Sequence, residues 1–94
     1  MFAAIGSWID HRRELRRRWR DDARRLLGAE EIYAYYEAQR RATRARIHGD
    51  RREFYHWAKV SAEIARLSPK VEMDIAVLRA IVAEEKGRWE RSRT

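Results

Sequence analysis

Three histidines, His11, His48 and His56, and three adjacent acid pairs, Asp21–Asp22, Glu30–Glu31 and Glu84–Glu85, are the side chains best suited to chemistry in this chain. A metal centre or an acid–base pair needs groups that converge, which on a helix means a spacing of three or four residues. No histidine has a second histidine or an acid four residues on. Adjacent carboxylates on a helix diverge by about 100°, so the acid pairs do not share a proton. The sequence holds no glycine-rich phosphate loop, no nucleophile beside a base and no cysteine. These residues predict a non-enzymatic protein with no metal, no cofactor and no disulfide.

The stretch Phe54, Tyr55, His56, Trp57 lies between Arg52 and Lys59. Such a composition suits either the stacking of bases or the inside of a helix bundle. Helical spacing favours the interior for two of the four. Phe54 and Trp57 share a face with Ala58, Ser61, Ile64 and Ala65. Tyr55 then turns toward a neighbouring helix or a rim, and His56 is expected to be largely exposed.

Arginine placement gives the sharper functional signal. The net charge is +7, and residues 1–27 carry +4 of it, eight arginines against four acids. Glu14 can pair with Arg17 and Arg18, Arg18 also with Asp22, and Asp21 with Arg24 and Arg25. Arg12, Arg16 and Arg20 have no acid three or four residues away on either side. They form one row with steps of about 6 Å, flanking the stripe that holds Trp8, Leu15 and Trp19. The candidate partner-binding residues are therefore Arg12, Arg16, Arg20, Trp8 and Trp19. A solvated row whose stems cover the tryptophans is the structural alternative.

Positioning these groups requires helices. Four glycines, one proline and no alternating β-branched run predict an all-α fold, an up-and-down antiparallel bundle of three to four helices forming one domain over residues 1–94. The first helix is long and basic, about 2–27, ending near Gly28. The second spans about 30–47, with His48 and Gly49 closing it. Asp50 reads as the N-cap of a third, about 51–67, and Glu53 completes a capping-box pattern. Ser68 and Pro69 read as the N-cap and first residue of a fourth, about 69–91, with a seam of Val71, Ile75, Leu78, Val82 and Trp89 broken by Glu85.

Folding the second helix on the third about Gly49 sets Tyr36 opposite Ser61 and Gln39 opposite Ala58. The expected core is Ile32, Tyr36, Phe54, Trp57, Ala58, Ser61, Ile64, Ala65, Ile75, Leu78 and Val82. The first and fourth helices are expected to face each other, bringing Trp8 near Trp89. The helix pair loosely resembles a tetratricopeptide-type hairpin in its Gly49–Asp50 turn, its small-residue face and Pro69. Three extra residues separate turn from proline, and no second copy follows, so the likeness is one of packing.

These features favour a protein-interaction or adaptor module whose partner is another protein or a second copy of the chain, docked on the first helix. Nucleic-acid binding through the same row and peripheral attachment to an anionic membrane are the alternatives. Acids spread through the later helices weigh against the former, and Asp10, between the apolar start and the arginines, against the latter. An apolar start followed by basic residues reverses the order of a secretory signal, so a cytoplasmic protein is expected, soluble or membrane-peripheral.

Overall fold

The computed structural model describes residues 2–68 and 74–93, with side chains from Gly6 onward. Four helices make up nearly all of it: α1 Phe2–Ala29, α2 Ala34–Ile47, α3 Arg51–Leu67 and α4 Ile75–Arg93. No strand occurs among the described residues. The fold is an all-α bundle.

Local chemistry sets the helix ends. At the α2–α3 turn Gly49 has φ +73°, a left-handed conformation that glycine adopts without a Cβ penalty. Asp50 N–H then donates to Ala45 O at 2.8 Å and Gly49 N–H to Arg46 O at 3.1 Å, which satisfies carbonyls of the last turn. Asp50 caps α3, its Oδ1 accepting from Glu53 N–H at 3.1 Å. The reciprocal half of the expected capping box is not made. Glu53 accepts instead from the Trp57 indole N–H at 3.0 Å.

Two boundaries differ from expectation. The turn at residues 31–33 delays α2 to Ala34, so Glu30 and Glu31 precede the helix. Ser68, expected to open the fourth helix, closes α3: its N–H donates to Ile64 O at 2.9 Å and its hydroxyl to Glu31 at 3.3 Å. The expected start at Pro69 lies outside the described residues, as does Val71. Asp74 caps α4 instead, its Oδ1 accepting from Ala76 N–H at 2.9 Å.

The helices alternate in direction as expected, but their neighbours are not those of the simple bundle. Around the antiparallel α2–α3 hairpin, α1 lies along α3, with Trp19 at Tyr55 and Asp22 at His56. On the other side α4 lies along α2, with Arg40 at Glu84 and His48 at Trp89. Among the described residues no Cα of α4 comes within 8 Å of one in α1 or α3. The molecule is accordingly flat, 50 × 36 × 20 Å, its shortest dimension about two helix diameters. This arrangement overturns the expected contact of Trp8 with Trp89. Trp89 packs on the His48 ring at 4.7 Å, while Trp8 stays exposed.

Ala23 and Leu26 of α1, Ala34, Tyr35 and Ala38 of α2, and Val60 and Ile64 of α3 form the core. Of the expected core, Ser61 and Ile64 are buried, and Tyr36, Trp57, Ala58, Ala65 and Leu78 are half-buried. Ile32, Phe54, Ile75 and Val82 are exposed. Ile32 falls in the turn before α2, which removes it from the helical face. Because α2 packs against all three other helices, its buried positions besides Tyr35 are the alanines 34, 38, 42 and 45, whose small side chains allow close approach. Gln39 lies opposite Ser61 rather than Ala58, donating to its Oγ at 2.9 Å.

Candidate docking surface

The α1 helix outruns the hairpin beside it. Every residue from Gly6 to Glu14 is exposed, nine residues or about 13 Å of helix at 1.5 Å per residue. Trp8 stands there 58% exposed, with the Arg12 guanidinium 4.9 Å above its ring. Arg16 and Arg20 follow on the exposed side of α1. Among the described residues neither has an ion-pair partner. Trp19 is placed differently. It is half-buried against the core, edge-on to Tyr55 at 5.9 Å, with Lys59 Nζ 5.7 Å from its ring centre.

Fewer intrahelical ion pairs form on α1 than the spacing allows. Glu14 pairs with Arg17 at 3.6 Å and Asp22 with Arg25 at 3.0 Å. Arg18 pairs with neither Glu14 nor Asp22, and Asp21 with neither Arg24 nor Arg25. Asp22 is turned toward α3, where its Oδ2 lies 2.7 Å from His56 Nε2. His56, expected to be exposed, is thus half-buried between α1 and α3. The clue was Asp22 itself, one residue from the buried Ala23 and so at the margin of the packed face. His48 ends α2, as expected, and His11 is exposed.

The second group missed from sequence is at Glu85, which sits where an apolar seam residue would lie and is only 2% exposed. Arg44 donates to both of its oxygens, Nε to Oε2 at 3.1 Å and Nη2 to Oε1 at 3.0 Å. Arg40 adds Nη1 to Oε1 at 3.1 Å and also reaches Glu84. The hydrogen bond from Arg44 holds the Glu85 carboxyl below the usual carboxylate range against the opposing effect of burial. The same bonds push both guanidiniums up, Arg40 chiefly through Glu84 and Arg44 through Glu85. Charge thus adds to the apolar attachment of α4, in which Ile81 is buried, Leu78 packs on the core and Trp89 lies against His48. The Tyr36 hydroxyl, accepting from Asp74 N–H at 2.9 Å, pins its start.

No three His, Asp or Glu side chains gather as metal ligands among the described residues. No helix there is long and apolar enough to cross a membrane. Compared with known proteins, the chain matches no family model, no curated protein and no solved structure. Its own geometry must carry the functional reading.

Proposed function

We propose that the protein is a small helical interaction module that docks through α1 on an acidic surface of another protein. The observation that carries this reading is the overhang, where Trp8 is exposed beneath Arg12 while Arg16 and Arg20 lie exposed without acidic partners among the described residues. A large aromatic next to arginines is the usual make-up of an interface hot spot. A fixed helix loses little conformational freedom when it docks, because its backbone is already ordered. Self-association through this segment would set arginine against arginine, which favours a partner of opposite charge.

Crosslinking from native extract, identification of the captured protein and a measured affinity with the purified pair test this. Replacing Arg12, Arg16 and Arg20 together by glutamine is expected to leave circular dichroism and stability within about 0.5 kcal/mol of wild type. Binding should weaken by about threefold to a hundredfold, since three exposed ion pairs of about 0.2–1 kcal/mol each are lost. Rising salt should weaken the wild-type complex in the same direction. Equal affinity of the triple variant would sink the proposal. So would tighter binding to random-sequence duplex DNA or to phosphatidylserine vesicles than to the captured protein.

A further inference from the structure

Between the first half of α1 and the start of α3 lies a cleft of about 510 Å³, within the size range of small-molecule sites. Its two guanidiniums come from different helices, Arg18 from α1 and Arg52 from the first turn of α3. Neither has an ion-pair or hydrogen-bond partner among the described residues, and nor does His11 on the same wall. Asp22 is taken up by His56 at 2.7 Å and Arg25 at 3.0 Å. Glu53, the one carboxylate of the lining, accepts the Trp57 indole N–H at 3.0 Å and keeps its charge, so the cleft's cations outnumber its acids by two guanidiniums to one carboxylate.

Beside these cations is an aromatic wall. The Trp19 and Tyr55 rings meet edge to face, Lys59 Nζ lies 5.3 Å from the Tyr55 ring centre on one face, and Tyr55 remains 52% exposed. Unpaired guanidiniums favour a phosphate, which each can grip with two parallel N–H bonds. An exposed ring favours a flat heterocycle, which stacks without regard to its exact substituents. Each feature alone is common; the cleft brings them together. We infer that the α1–α3 cleft binds a small planar aromatic phosphate, of the nucleoside monophosphate class, with the phosphate at Arg18 and Arg52 and the ring against Tyr55.

This site is separate from the docking row. Arg16 and Arg18 lie about 200° apart around α1, on opposite flanks, so each set can be altered alone. The full chain is titrated calorimetrically with adenosine monophosphate, adenosine and inorganic phosphate in low salt. Adenosine monophosphate is expected to bind with a Kd below about 1 mM, and adenosine and phosphate each about tenfold or more weaker. Arg18→Gln with Arg52→Gln should weaken the nucleotide about tenfold or more. Tyr55→Ala should weaken nucleotide and leave phosphate unchanged, whereas the Arg12, Arg16, Arg20 triple variant should bind nucleotide like wild type. Should the double glutamine variant lose its circular dichroism, Arg18→Lys with Arg52→Lys replaces it, keeping charge and losing the fork. Any of four results overturns the inference: no heat with nucleotide up to about 10 mM, phosphate binding as tightly as nucleotide, full affinity in the folded Arg18/Arg52 variant, or equal loss in the triple variant.

Discussion

Glu85→Gln removes the charge that holds α4 while keeping the side chain's shape. In the native protein three guanidinium N–H groups converge on this buried carboxylate. Deleting one partner of a buried ion pair costs about 3–5 kcal/mol, mostly because the other charge is stranded. Here the stranding is partial: the Arg40 and Arg44 side chains are 25% and 43% exposed, and Arg40 keeps Glu84. The expected loss is therefore about 2–3 kcal/mol, nearer the value of a lost charged hydrogen bond. Urea denaturation followed by circular dichroism reads it at neutral pH. The acid side gives a second reading. Glu85 has a native pKa below its unfolded value of about 4.3, so its contribution is complete above that pH. It is lost as pH falls through the lower native value. Exposed Glu84, also depressed by its hydrogen bond from Arg40, acts with the same sign, so the variant's acid limb should be shallower rather than absent. An unchanged urea midpoint together with an unchanged acid limb would refute the assignment of Glu85 as the fastening of α4.

Ala38→Leu should destabilise by about 1–3 kcal/mol in thermal melts, because Ala38 is fully buried in the core cluster shared with Val60 and Ile64. Gly49→Ala should cost about 1–2 kcal/mol, since the site has open space but a left-handed backbone, and Gly49→Asn should recover part of it in the same melts.

What could be read from the sequence was local. The Gly49 stop and the Asp50 cap each involve residues within a few positions of one another, and both appear where the residue types place them. The buried face of α2 was illegible because alanines at 34, 38, 42 and 45 make no hydrophobic stripe beside Tyr36 and Ile47, yet the three helices packed around α2 select them. Glu85 looked like a break in an apolar seam because its partners, Arg40 and Arg44, are more than forty residues earlier. The unpaired state of Arg16 and Arg20 followed from spacing alone. That of Arg18 did not, because Asp22 is diverted by a histidine on another helix. The cleft likewise exists only through the parallel register of α1 on α3, which no local pattern encodes.

The separation of the α1 and α4 backbones among the described residues has an energetic consequence. The α2–α3 hairpin acts as a hub carrying two arms, which couple to each other through the core they share with it. Each arm can open in its own partial unfolding step, α4 when the Glu85 carboxylate is protonated and loses its charge pairing with Arg40 and Arg44, and α1 when its half of the core is loosened. A partner pulling on the overhang would therefore load the hub first, leaving α4 as a bystander. In mechanical terms, the charge-held arm and the docking arm are springs attached to one block, not links of one chain.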